Sequence, residues 1–226
     1  MNKRRTAIAW LASALLAPRL AVAQTETPPL VRAASAGDLP ALRRLLDSDT
    51  PVDTRDSQGR TALLAATHAN QIEAARLLID RGANVNAKDG MQDSPYLLAG
   101  ARGRLEILRL TLKAGADLRS TNRYGGTALI PAAHYGHVET VRELLQTAVD
   151  VDHVNRLGWT ALLEAILLGD GGTAHTQIVQ LLLAHGANPA LPDGQGVTPL
   201  AHAQRRGQAG IEALLTRALQ DKAQRP

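Results

Sequence analysis

Apolar and polar positions return in a fixed order from about residue 28 to residue 217. Each unit opens on a short apolar block behind a hydroxyl residue. Thr61-Ala62-Leu63, Ser94-Pro95-Tyr96, Thr127-Ala128-Leu129 and Thr160-Ala161-Leu162 recur at intervals of 33 residues, and Thr198-Pro199-Leu200 follows after 38. A second block carries apolar residues at helical spacing, as in Ile72, Ala75, Leu77, Leu78 and Ile79, which marks one face of a helix. A closing phrase keeps the same step: RGANVN from Arg81, AGADLR from Ala114, TAVDVD from Thr147 and HGANPA from His185. Leu30, Ala33 and Gly37, with Val52-Asp53, form an earlier unit in the same phase, so the chain holds six units.

Each unit reads as two helices and a turn. The Thr or Ser side chain caps the first helix by accepting from amides of its opening turn. Pro or Ala follows at the position where a missing N–H costs least. Gly103, Gly136 and Gly207 end first helices, and Gly82, Gly115 and Gly186 close second helices in the left-handed conformation. An extended segment then leads to the next hydroxyl. No unit buries its apolar face alone, so the units must stack. Leu45, Leu78, Leu145, Leu182 and Leu215 recur on second helices and are expected between stacked units.

The phrase and its 33-residue period resemble the ankyrin repeat. The resemblance implies an all-α solenoid of about six stacked helix-turn-helix units with β-hairpin-like connecting turns. The boundaries read as a leader at 1–23, a short segment at 24–27, the repeats at 28–217 and a flexible tail at 218–226. Three departures stand out. The signature histidine is replaced by Leu64, Leu97, Ile130, Leu163 and Ala201, so its usual hydrogen bonds are expected to be missing. Gln92 stands where a hairpin glycine belongs, which leaves the geometry of that turn open. Pro131, four residues after Thr127, removes the first hydrogen bond of its helix.

Gly169-Asp170-Gly171-Gly172 looks like a phosphate loop but lacks the Gly-Lys-Ser/Thr ending and a preceding strand. In register, Gly169 matches Gly136, and His175 matches His137 after 38 residues instead of 33. Five extra residues therefore fall near 170–174 and lengthen the turn between the helices of unit five. The surrounding phrase resembles one found in exported bacterial ankyrin proteins.

Lys3-Arg4-Arg5, the apolar run Thr6–Ala17 and Ala21-Val22-Ala23 form a basic, apolar, small-residue order, that of a secretory signal peptide cleaved after Ala23. The general secretory route is favoured over the twin-arginine route, because Ala7 and Ile8 are less bulky than the pair expected after the arginines. The expected compartment is the periplasm. Removing the leader changes the charge: the full chain is +4, and Lys3, Arg4, Arg5 and Arg19 all lie in the leader. The remainder carries 21 residues of each sign, so it has no net basic charge to attract nucleic acid. Cysteine is absent, which excludes disulfides, thiolate catalysis and thiolate metal sites.

No motif for catalysis, cofactor or metal is present. His134, His137, His153 and His175 lack ligand spacing, and Glu164 stands where other units carry Leu98 or Ala65. The resemblance places partners on the hairpin tips and on the first helices. Those positions are Gln58, Arg60, His68, Met91, Asp93 and Arg102, then Arg123, Tyr124, His134 and Tyr135. They continue with Arg156, Leu157, Trp159, Leu167 and Leu168, and end at Gln195, Val197, Arg205 and Arg206. After the leader the only aromatics are Tyr96, Tyr124, Tyr135 and Trp159. Tyr96 takes a core position, and the other three share units four and five. The candidate partner surface is therefore Arg123, Tyr124, His134, Tyr135, Arg156, Leu157, Trp159, Leu167 and Leu168, with Trp159 as its anchor. The expected function is non-enzymatic binding of a protein partner by a monomer. Two other readings remain open: an accessory role in peroxide defence beside a catalase, implied by the resemblance, and hydrolysis at His134 and Glu164.

Overall fold

A computed structural model describes residues 26–224, so the leader and the expected cleavage site at Ala23 lie outside the described residues. Twelve helices form six pairs within that range. They are α1 (Pro29–Ala36) with α2 (Leu39–Asp47), α3 (Ala62–His68) with α4 (Ile72–Asp80), and α5 (Pro95–Ala101) with α6 (Leu105–Lys113). The stack continues with α7 (Leu129–His134) and α8 (Val138–Leu145), α9 (Ala161–Leu167) and α10 (Thr173–Ala184), and α11 (Pro199–Arg205) and α12 (Ala209–Ala223). Among the described residues the hairpins form no strand, and one isolated bridge joins Arg55 to Thr61.

The stacking expected from the apolar pattern is present. The first helices of the inner units lie between neighbours on both sides: Ala62 to Thr67 in α3 and Pro95 to Gly100 in α5 are all buried. Second helices bury a single stripe, as with Ile107, Leu108 and Thr111 in α6. Leu78, Leu145, Leu182 and Leu215 are buried as expected, and so is Tyr96. Leu45 is the exception. It is only half-buried, and Leu42 takes the core position of α2, in a terminal unit with a neighbour on one side only.

Thr61, Ser94, Thr160 and Thr198 each accept from the third amide of their helix at 3.2 Å. Thr127 does not. Pro131 has no N–H to return to the Thr127 carbonyl, α7 begins only at Leu129, and the buried Thr127 Oγ1 is left without a partner. Gln92 resolves differently from its glycine-less sequence. It adopts φ 64° and donates its amide to the Asp89 carbonyl at 3.1 Å, as Gly59, Gly125, Gly158 and Gly196 do in their own turns. The turn keeps its shape, at a cost of about 1 kcal/mol for a left-handed residue with a side chain.

The inserted stretch is only partly a turn. α10 starts at Thr173 and has 12 residues against 8 in α8, so the last inserted residues add helix. Asp170 receives the Gly172 amide and His175 Nδ1, both at 2.8 Å. His175 keeps its expected register: its Nε2 meets the His134 carbonyl at 2.8 Å, as Gln71 reaches Ser35 and Gln208 reaches Ile166 in other units. The tail at 218–226 also needs correction. Ala218-Leu219-Gln220 carries no Gly or Pro to stop a helix, so α12 runs on to Ala223, and Lys222 Nζ donates to Asn188 Oδ1 at 2.9 Å.

Candidate partner-binding groove

Each hairpin from unit two onward is built on one Asp or Asn. Asp56, Asp89, Asn122, Asn155 and Asp193 each accept, through one oxygen, from the amides two and four residues ahead. Such a local side-chain-to-backbone bond fixes the turn. The other atom of the same side chain is then free to face the first helix, nine residues on. In unit six it is Asp193 Oδ2, and His202 Nε2 meets it at 2.7 Å. In unit five it is Asn155 Nδ2, which donates to Glu164 Oε1 at 2.9 Å. The side-chain bonds expected to be missing with the signature histidine are thus restored in these two units from the adjacent position.

Glu164 is 7% exposed. Its second oxygen, Oε2, has only His134 Nδ1 near it, at 3.7 Å, too far for a hydrogen bond. Burial pushes the Glu164 carboxyl up to about 7, although the Asn155 bond opposes the shift. Burial and the nearby His175 hold His134 below the usual imidazole value, so it is a poor counter-ion at neutral pH. In unit six the balance is opposite. The Val197 amide, with help from His202 and the Gln195 amide, holds the Asp193 carboxyl below its ordinary range.

Glu164 opens onto a groove of about 810 Å³ across units three to five, lined by side chains from the hairpins and first helices. Tyr124, Tyr135, Leu157 and Leu168 line it and are 52%, 60%, 55% and 44% exposed. The Tyr135 ring stacks on His134, with centroids 4.2 Å apart. Arg123 lies over the Tyr124 ring at 4.8 Å and points Nη1 at Met91 Sδ. Arg102 and Arg104 line the same groove, and Arg104 Nε is buried without a partner.

Six of the nine sequence-derived candidates therefore meet in one groove: Arg123, Tyr124, His134, Tyr135, Leu157 and Leu168. Arg156, Trp159 and Leu167 are not among its lining residues. Arg156 is used within the stack: its Nη1 donates to the Arg123 carbonyl at 2.8 Å. Trp159 is half-buried, with its backbone amide and carbonyl both bonded to Asn155. The four histidines do not converge on a common point. His153 Nε2 is engaged by the Gly125 carbonyl at 2.7 Å, and His175 by His134 and Asp170. Asn155 and Arg104 escaped the sequence reading. The recurring Asp or Asn five residues before each hydroxyl cap could have revealed Asn155.

A family model described as "Ankyrin repeats (3 copies)" matches residues 5–89 and 96–193. The structure is similar to that of an ankyrin repeat domain from Acinetobacter baumannii AYE, with 60% identity and a TM-score of 0.82, covering 84% of this chain and 97% of that one. It is also similar to the ankyrin repeat domain of Bcl-3, with 29% identity and a TM-score of 0.77, covering 86% of this chain and 87% of that one. The ankyrin repeat protein YahD of Escherichia coli (strain K12) is 54% identical over 54 residues. That match spans 24% of this chain and only 27% of YahD's length. The chain belongs to the ankyrin-repeat family.

Proposed function

We propose that this chain is an exported scaffold that presents the groove of units three to five to a protein partner. Ankyrin repeats are generally protein–protein interaction modules and non-enzymatic. The observation that carries the reading is the distribution of exposed apolar side chains. Among the described residues, six large hydrophobics are exposed, and four of them, Tyr124, Tyr135, Leu157 and Leu168, line this one groove. A chain this poor in aromatics would not leave two tyrosines there for packing, and clustered apolar exposure marks interaction surfaces. Stacked helices hold the surface in place before binding, which limits the entropy lost on association. The alternative of hydrolysis has behind it only the 3.7 Å approach of His134 to Glu164, and the clustered apolar exposure favours the binding reading.

The test is capture from an envelope extract of the host by the immobilised mature chain. A partner held by the wild type and lost by a Tyr124→Ala, Tyr135→Ala double variant supports the reading. Equal capture by a folded double variant moves the binding face elsewhere. The export component rests on the leader and is tested separately. Intact mass from the host should give a chain beginning at Gln24, and a cytoplasmic chain retaining Met1 would refute it.

A further inference from the structure

We propose that Glu164 is the specificity determinant of the groove, receiving through Oε2 the cationic side chain of a lysine or arginine on the partner polypeptide. This rests on the reading of the groove as the partner surface. The starting observation is a largely buried acid with one oxygen held inside the chain and the other open to the groove. Oε1 is satisfied by Asn155, whereas Oε2 has only a histidine nitrogen at 3.7 Å. Among the described residues no lysine or arginine comes within ion-pair distance of it. Burying most of a carboxylate without a counter-ion costs stability, and the same station in unit three is filled without that cost by Leu98. Keeping an acid there makes sense if something outside the chain completes it.

The surroundings select a cation on a long stem. Leu157, Leu168 and Tyr135 share the groove with Glu164, and apolar walls suit the methylenes of lysine or arginine while the head reaches the acid. Asn155 is matched to this role. An aspartate, as at Asp193, would place a second carboxylate against Glu164, and the amide instead donates to it. The charged or titratable groups on the helices packed against α9 do not compete. His134 on α7 is held toward its neutral form, His175 on α10 is engaged by Asp170, His202 on α11 by Asp193, and Arg205 on α11 is exposed. Arg102, Arg104 and Arg123 come from units three and four, so the partner's cation belongs at the unit-five end of the groove.

The experiment uses the full mature chain against arrays of nonapeptides with randomised flanks and a central residue fixed as lysine, norleucine or glutamate. At about pH 8 the lysine-centred set should bind at least about tenfold more tightly than the norleucine-centred set. The advantage should shrink as the pH falls through about 7, because protonating Glu164 removes the charge that the lysine meets. Glu164→Gln should erase the lysine preference while norleucine binding persists and the chain stays folded, with a melting temperature no lower than that of the wild type. Equal binding of lysine and norleucine sets by the wild type, or a preference that survives in the Gln variant, overturns the proposal and leaves the groove reading intact. Peptide binding that is unaffected by Tyr124→Ala with Tyr135→Ala overturns both.

Discussion

Units five and six build the same station from the same backbone and fill it with opposite chemistry. In unit six, Asp193 and His202 face each other at 2.7 Å, and the pair is complete within the chain. In unit five, Asn155 and Glu164 occupy the same two places, but an amide satisfies only one carboxylate oxygen and the other is left toward the groove. The hairpins are equivalent, since Asn155 and Asp193 each hold two backbone amides. A turn-forming residue thus has one half assigned to structure and one half available for variation. The repeat that uses both halves internally closes its station, and the repeat that leaves one open lines the groove proposed to take the partner.

Removing the shared device should have the largest effect. Asn155→Ala takes the acceptor from the Leu157 and Trp159 amides and the donor from Glu164. With buried groups left unpaired, stability should fall by about 3 kcal/mol or more, measured by denaturant unfolding at neutral pH. A loss below about 0.5 kcal/mol, the range of ordinary surface substitutions, would mean that the turn does not depend on its side chain.

Glu164→Gln should act in the other direction. The folded carboxyl is raised from 4.5 to about 7, so its neutral form is the stable one in the fold. Stability is then greatest below the unfolded value, falls as the pH rises toward 7 and is level above it, a span of about 3 kcal/mol. Glutamine abolishes that slope and should stabilise the chain by about 2 kcal/mol at about pH 8, because it too must be buried. Unfolding curves across pH for both chains check this. A wild-type profile without the fall would show that the acid is satisfied.

A smaller effect is expected from giving unit five the chemistry of unit six. Asn155→Asp with Glu164→His should raise stability at about pH 8 by about 1 kcal/mol, the scale of one net intramolecular hydrogen bond. The histidine must itself leave water, so the gain is below that of glutamine. If the double change destabilises the chain, the two stations are not interchangeable and their packing differs in a way the backbone does not reveal.

The stack was legible in the sequence because every unit repeats the same caps, apolar stripe and closing glycine. Where one unit broke the pattern, sequence alone was less informative. Gln92 could be seen as the wrong residue for its turn, but not that the surrounding bonds would hold it left-handed. The insertion was placed in register by His175, yet its division between turn and helix depended on where α10 could begin. Of the candidate groove, Tyr124, Tyr135, Leu157 and Leu168 could be found because they occupy positions the repeat leaves variable. Arg156 and Trp159 occupy equally variable positions but do not line the groove, a difference of direction around the turn that spacing does not reveal. The Asn155–Glu164 pair joins a turn to a helix across nine residues, and only comparison with Asp193 and His202 gives it meaning.

The central claim is that unit five holds a buried carboxyl with no internal counter-ion, and titration of the Glu164 side-chain carboxyl by carbon NMR in the free mature chain tests it most directly. The expected midpoint is about 7, moved down when a lysine-centred peptide is bound. A midpoint at the ordinary 4.5 in the free chain would contradict the account, because it would show a carboxylate already solvated or paired.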